Sequence, residues 1–544
     1  MDVDSKRKRL LNSPLARAAR VLLVGPYDPH CGEFTFLAPP LGVWRLQGFL
    51  AAQKIEAVVF DPNRRPEAIQ EEFDATLRDG PWDVIGLSTT GMTLQYDLSL
   101  AHRARELSPN SLLVAGGMEA TFKPQLLFLN GPFDLIVTGE GERPLSEICA
   151  RRVIGQSLEG IAGTVVVRSD GELQHFPGAA LNEAQLTGAI FSIPYEHMPY
   201  QDYWNRLERA YDIGGLPYKA QREAALAEIR SVRLITLNYC PMGCSFCSST
   251  NFLHQSQGSI AGIARLSAED CLRMMERIVV AHPSVKTIIF QDDIFVFTTD
   301  KRILPLCEQI IEAKRAGRLP AALQFISTNR IDAMNPERLA AMRRAGFRVL
   351  GFGIESFSQS VLTEFNKKHI YRHIEPVLLE SRRLGITPFL DLILTSPRSS
   401  LGDLAETVRQ AYRWIVAGCE VGIYPYVIPF SGAAMSRDPE LIPQTIFERR
   451  RIPGTAISWS QPVKILPLDD ATRAAILRIE TDVQAMIAAS SRLHLPSRVR
   501  SLMWIRAAVP VLRECGESMP DESGIALTLH EDMRSMSLER CAAL

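Results

Sequence analysis

The sequence predicts an α/β protein in two main parts: an N-terminal doubly wound, Rossmann-like (flavodoxin-like) parallel sheet, then a partial (β/α)6 barrel with a mainly helical C-terminal region after it. Three observations predict this. Short, near-continuous apolar runs alternate with amphipathic stretches of helical period over the first 150 residues, and again between residues 233 and 428, the pattern of parallel strands covered by helices. In the second series polar residues close nearly every apolar run, where barrels build active sites. The length, 544 residues, exceeds one ordinary domain and suggests about three or four units.

In the first series the strands are residues 20–25, 55–61, 84–88, 112–115 and 135–137. The intervening helices are residues 41–53, opened by Pro39 and Pro40, a charged stretch after residue 61, residues 98–104 and residues 143–151. Residues 164–168 and 172–176 flank Ser169, Asp170 and Gly171, a β-hairpin with a tight Asp-Gly turn. Residues 194–216, rich in Pro, Tyr and Gly, read as a connector with little regular structure. The second series has strands at 233–237, 287–291, 324–328, 348–353, 387–395 and 421–428, separated by helices at 268–281, 303–316, 336–345, 374–384 and 404–417. A helix at 469–490 shows Ile476, Ile479 and Val483 on one face. The domain organisation is therefore 1–160, 161–230, 231–430 and 431–544.

Composition narrows the function. A formal net charge of −1 argues against a nucleic-acid surface, and the basic run Lys6, Arg7, Lys8 and Arg9 reads as a solvated start. No run of about 18 apolar residues exists to span a membrane, and no secretory core follows the N-terminus. Ten cysteines, three of them within eight residues, do not make a disulfide scaffold and point to a reducing cytoplasm.

Those three are Cys240, Cys244 and Cys247, in a loop directly after a strand. Thiolates are the usual ligands of iron–sulfur clusters. Three on one loop leave the fourth iron of a cubane without a protein ligand, as an open position is left in catalytic metal sites. Zinc knuckles favour two CxxC pairs, and no second pair or CxxH follows.

The CxxxCxxC spacing, with Phe246 before the last cysteine, resembles the radical S-adenosylmethionine (SAM) superfamily over about residues 233–428. The resemblance implies a [4Fe–4S] cluster on Cys240, Cys244 and Cys247, SAM bound at the open iron, and release of a 5′-deoxyadenosyl radical. It places Phe246 against the adenine, Asp293 of the Asp292–Asp293 pair on the methionine amine, Arg330 on the methionine carboxylate and Glu355 near the ribose or methionine.

In the N-terminal domain no GxGxxG follows the first strand, so a nicotinamide or flavin dinucleotide is not expected. Polar and glycine-rich residues cluster on the carboxyl side of the sheet, where open α/β domains bind ligands. The order of elements over residues 19–151 resembles the cobalamin (B12)-binding domain fused to many radical SAM enzymes. By that resemblance Ser88, Thr89, Gly116, Gly117, Gly139 and Glu140 line the corrinoid and its nucleotide tail. Members of that family that supply a histidine to cobalt carry it in D-x-H-x-x-G; Asp28–Pro29–His30–Cys31–Gly32 is one residue short, which leaves His30 as a surface histidine in the first reading and as a cobalt ligand in the alternative. The other cysteines form no second cluster motif, which weakens a methylthiotransferase reading.

Together the two resemblances imply a cobalamin-dependent methyltransferase acting on an unactivated carbon or on phosphorus through methylcobalamin. The alternatives are a non-methylating reaction (cyclisation, ring contraction or rearrangement) and, more remotely, a corrinoid- or cluster-based sensor. The expected partners are a small-molecule, lipid or peptide substrate and a flavodoxin- or ferredoxin-type reductant. Tyr203, Tyr424, Tyr426 and Trp459 are substrate-contact candidates by residue type alone.

Overall fold

A computed structural model describes residues 18–30, 36–216, 218–489 and 497–540, without the side chains of 531 and 533–540. The basic run at 6–9, Cys31, Gly32 and Cys541 lie outside the described residues.

Seven strands form the N-terminal sheet in the order β2-β1-β3-β4-β5-β6-β7. They are β1 (Arg20–Val24), β2 (Glu56–Phe60), β3 (Val84–Thr89), β4 (Leu112–Gly117), β5 (Leu135–Val137), β6 (Thr164–Val167) and β7 (Leu173–Phe176). The first five are parallel. Val21–Val24 are fully buried or nearly so, as a strand covered by helices on both faces requires. The order reverses between β1 and β3, which places the ligand crevice at their carboxyl ends. The 164–176 hairpin extends this sheet, with β6 antiparallel to β5.

The connector is more regular than its composition suggests. Residues Tyr200–Ala210 form a helix, because Tyr200, Tyr203 and Trp204 share one face and all three are buried.

The second sheet is wholly parallel, in the order β13-β12-β11-β10-β9-β8. Its strands are β8 (Ser231–Leu234), β9 (Thr287–Phe290), β10 (Gln324–Asn329), β11 (Phe347–Glu355), β12 (Thr387–Ile393) and β13 (Glu420–Tyr424). No pairing joins β8 to β13 among the described residues, so the barrel is partial. Its helices carry strong local signals. Ser267 accepts from Asp270 N–H at 3.0 Å, Asn335 caps a helix starting at Pro336 and ending at left-handed Gly346, and Ser400 with Asp403 makes a capping box. Phe290, Phe295, Phe325 and Phe347 pack ring on ring inside the sheet's core.

The C-terminal region holds helices Asp470–Ala489, Ser497–Glu514 and Glu522–Arg540, the second packed on β13 with Ser501 Oγ donating to Val421 O at 2.6 Å. It also contains a hairpin that the helical expectation omits: β14 (Thr445–Arg451) and β15 (Ser458–Ile465). Its charged run Glu448–Arg449–Arg450–Arg451 and Pro462 hide the strand alternation. The hairpin crosses back to the N-terminal domain. Ile452, fully buried, enters that domain's core beside Trp459, and Gln461 Nε2 donates to Gly91 O at 2.8 Å.

Candidate functional site

The cysteine loop follows β8 and is held from both sides. Thr250 Oγ1 donates to Cys240 O at 2.8 Å and accepts from Gly243 N–H at 2.9 Å. Ser245 N–H donates to Phe365 O at 3.0 Å, Met435 N–H to Ser245 O at 2.9 Å, and Asn366 Nδ2 to Gly243 O at 2.8 Å. Gly243, Asn366 and Lys368 all take left-handed backbone (φ 69°, 52° and 61°), which lets the 365–368 segment fold back against the loop.

Cys240, Cys244 and Cys247 are half-buried and unpaired. Burial raises all three thiols, Cys240 to about 12 and Cys247 to about 11, and their acidic neighbours push the same way. Deprotonation is therefore left to a bound cation. Among the described residues no three His, Cys, Asp or Glu side chains converge on a point that a single ion would occupy. A cubane takes one thiolate per iron, so these donors fit a [4Fe–4S] cluster with one open iron better than a mononuclear metal.

The two carboxylates after β9 have different tasks. Asp292 is buried and accepts from Thr236 N–H (2.7 Å), Leu237 N–H (2.8 Å) and Thr236 Oγ1 (2.6 Å); burial raises it to about 6. It is a structural clamp. Asp293 lines the main cavity and accepts from Ser249 Oγ, beside Cys240 and Cys247. Phe246 also lines that cavity, its ring 4.9 Å from that of Phe365.

Arg330 and Glu355 lie on the Cys244 side, where both act on that thiol. The Arg330 fork is taken by Asp332, with two bonds of 2.7 Å, and by Lys367 O at 3.0 Å. Glu355 sits at a bulge in β11 with φ 65°, a strained conformation of the kind that clusters at functional sites. It pairs with Lys367 at 3.0 Å, each side chain only 12% exposed. A Cβ on Gly353 would come within 2.6 Å of Glu355 Oε1, so the glycine leaves room for the pair. Asp391 on β12 faces the same group, and burial followed by the Glu355 charge raises it to about 7. Neither Lys367 nor Asp391 carries a sequence signal.

One cavity of about 740 Å³ joins the two halves. Its N-terminal wall comes from the loops after β1, β3 and β4, including Phe36, Pro40, Ser88, Thr90, Met118 and Glu119. The barrel contributes Arg233, Phe246, Cys247, Ser249 and Asp293, and the C-terminal hairpin closes it with Arg450 and Gln461. A broad, largely apolar space over the carboxyl edge of the sheet fits a corrinoid. Of the six residues expected at the corrinoid, Ser88 lines this cavity. Thr89 is buried and donates to Gly116 O at 2.9 Å, and Gly117 (φ 95°) turns the chain out of β4 where a Cβ would meet Thr89 O at 2.7 Å. Glu119 was missed although it follows the Gly116–Gly117 pair closely.

Gly139 and Glu140 face the seam between the halves. At Gly139 (φ 67°) a Cβ would lie 2.6 Å from Ser256 Oγ, on the barrel's helix Ser249–Gln257. Glu140 lines a second cavity of about 690 Å³ and accepts from Leu181 N–H at 2.7 Å; burial raises it to about 7. His30 bonds Tyr96 Oη at 3.0 Å. Tyr203 donates to Asp61 (2.9 Å), Tyr426 donates to Glu480 (2.8 Å), Trp459 packs on the N-terminal core and Tyr424 is half exposed.

Comparison with known proteins agrees with this division. Residues 29–149 match the B12 binding domain model and residues 234–411 the Radical SAM superfamily model. An uncharacterised methyltransferase of Pyrococcus horikoshii is 24% identical over 332 residues, 60% of this chain and 64% of the relative. The anaerobic magnesium-protoporphyrin IX monomethyl ester cyclase of Cereibacter sphaeroides is 24% identical over 402 residues, 73% of this chain and 60% of the relative. The chain thus spans somewhat under two thirds of the length of these curated relatives. The solved structure of the radical SAM methyltransferase TsrM from Kitasatospora setae, with cobalamin and a [4Fe–4S] cluster bound, shares the fold: TM-score 0.61, 15% identity, 83% of each chain.

Proposed function

We propose that this chain, which matches the B12 binding domain model ahead of the Radical SAM superfamily model, is a cobalamin-dependent methyltransferase acting on an unactivated carbon or on phosphorus. The observation that carries the reading is the shared cavity, bounded by the carboxyl edge of the B12 domain on one side and by Cys247, Phe246 and Asp293 on the other. A substrate held there faces both cofactors at once. With cobalamin, the cluster and SAM bound, the cofactors supply a transferable methyl group and a hydrogen-abstracting radical.

The protein's share is binding and exclusion of water. The three thiolates hold the cluster and leave one iron open. Asp293, oriented by Ser249, accepts a hydrogen bond from the SAM amine, and Phe246 covers the adenine. Arg330 acts on the SAM carboxylate from its place on Asp332, and Glu355 fixes the ribose side through its pairing with Lys367. Ser88 and the backbone around Gly116 and Gly117 seat the corrinoid, with Gly139 and Glu140 at the seam toward its tail. Phe36, Phe122, Phe252 and Phe430 make the cavity's wall apolar and keep water from the radical. A flavodoxin- or ferredoxin-type protein serves as reductant, and the substrate is a small molecule, lipid or peptide. The cyclase of Cereibacter sphaeroides among the relatives supports a second, non-methylating reading.

The two readings differ before any substrate is known. Reconstituted holoenzyme is reduced anaerobically with SAM carrying a deuterated methyl group. The methyltransferase forms S-adenosylhomocysteine and trideuteromethylcobalamin. Formation of 5′-deoxyadenosine with neither of these products would reject methylation.

A further inference from the structure

Arg233 sits in β8 between Val232 and Leu234, both fully buried on the helix side, and turns with Ile235 into the main cavity. Its guanidinium lies 3.9 Å from the centroid of the Phe36 ring and donates to Gln291 Oε1, while the buried Nε has no hydrogen-bond partner. Among the described residues no carboxylate faces it. Burial lowers it to about 10, and among the described residues Tyr200 is the ionisable neighbour acting on it.

Lys314 also lacks a carboxylate among the described residues but spends its ammonium on Leu323 O (2.6 Å) and Ala345 O (2.7 Å), whereas the Arg233 Nε is left unbonded. The buried Arg45, Arg302 and Arg330 each face a carboxylate, Glu142 at 2.5 Å, Asp300 at 3.9 Å and Asp332 at 2.7 Å. The other cations of the cavity are also matched, Lys123 by Glu119 at 3.6 Å and Arg450 by Glu448 at 3.0 Å. An unmatched guanidinium in an apolar cavity is costly to bury, and its fork suits a carboxylate or phosphate with two acceptor oxygens. Phe36, Met92, Ile235, Phe252 and Phe430 in the same cavity suit an apolar body attached to that group.

We infer that Arg233 anchors an oxyanion, carboxylate or phosphate, of the substrate, so that the enzyme takes an amphiphilic acid; this rests on the cavity being the substrate cavity of the proposed reaction. Gln291, which accepts from Arg233, precedes Asp293 by two residues. The anchor therefore lies beside the SAM-binding wall, and the apolar body of the acid extends from it along the corrinoid wall.

Cobalamin and SAM carry oxyanions too, so the test separates the sources. Holoenzyme is titrated by calorimetry with 3-phenylpropionate, phenyl phosphate and the neutral 3-phenylpropionamide, for wild type, Arg233→Lys and Arg233→Met, and cobalamin and SAM affinities are measured on the same proteins. The expected result is that the anions bind wild type about tenfold or more tighter than the amide. Arg233→Lys should keep part of that preference and Arg233→Met none, with cobalamin and SAM affinities unchanged. Equal binding of acids and amide to wild type, or no binding of the acids at millimolar concentration, would overturn the inference without use of a variant. So would loss of cobalamin or SAM affinity in Arg233→Met as large as the loss for the acids. These readouts need no methyl transfer, so failure of the methyltransferase reading shows separately.

Discussion

Asp97 joins two of the loops that wall the cavity, and replacing it tests whether those loops are held as a unit. Its carboxylate accepts from Tyr27 N–H (2.8 Å) after β1, and from Thr90 N–H (3.2 Å) and Thr93 Oγ1 (2.8 Å) after β3. The side chain is almost wholly buried, and burial outweighs the three hydrogen bonds to raise it to about 8. Asp97→Ala strands two backbone donors, each worth about 1–3 kcal/mol, so a loss of about 2–6 kcal/mol is expected near pH 6. Asp97→Asn keeps one acceptor but turns an amide donor toward other donors, and should lose less. The pH dependence follows from the raised value. Between about 4 and 8 the folded state holds a proton that the unfolded chain releases, so this residue's contribution to stability falls by about 1.4 kcal/mol per pH unit as pH rises. The disadvantage of Asp97→Asn should accordingly be largest at pH 5 and shrink toward pH 8. Urea midpoints across that range give the stability, hydrogen exchange at Tyr27 and Thr90 reads the lost bonds, and absorbance titration gives cobalamin affinity. Unchanged exchange protection in Asp97→Ala, or an Asp97→Asn protein more stable than wild type at pH 5, would refute the reasoning.

Replacing Lys367 with Met leaves Glu355 buried opposite Asp391 and should cost about 3–5 kcal/mol; adding Glu355→Gln should recover part of it in the same urea assay. Ile452→Ala removes a fully buried anchor of the C-terminal hairpin, with about 2–5 kcal/mol at stake, and should speed amide exchange across residues 445–465 and cobalamin release. The triple variant Cys240→Ala/Cys244→Ala/Cys247→Ala should lose about four irons per chain while keeping one cobalt, measured by elemental analysis after anaerobic reconstitution. Cobalt lost together with iron would contradict independent seating of the two cofactors.

The cysteine triad was legible as a motif because it is local. Cys240, Cys244 and Cys247 lie within eight residues, so their spacing can be set against a family motif without knowledge of the fold. The central strands of the N-terminal sheet were legible for a similar reason: helices cover both faces, and burial on both faces leaves an apolar run such as Val21–Val24 in the chain itself. The helix Tyr200–Ala210 and the hairpin Thr445–Ile465 were not, because their exposed faces carry charge and proline that break the local pattern.

What only the tertiary structure decided is the identity of the cavity. Its walls come from loops near residues 36–43, 88–92, 118–123, 233–252, 428–431 and 450–463, and no local pattern tells which side chains of such distant segments converge. Asp292 and Asp293 are adjacent in sequence, yet one clamps backbone and the other faces the cavity, on a loop past the end of β9 that no periodic pattern describes. Arg233 reads in the chain as one polar residue in an apolar strand. Its significance is that no carboxylate among the described residues lies in the space around it, and that is a property of the packed fold.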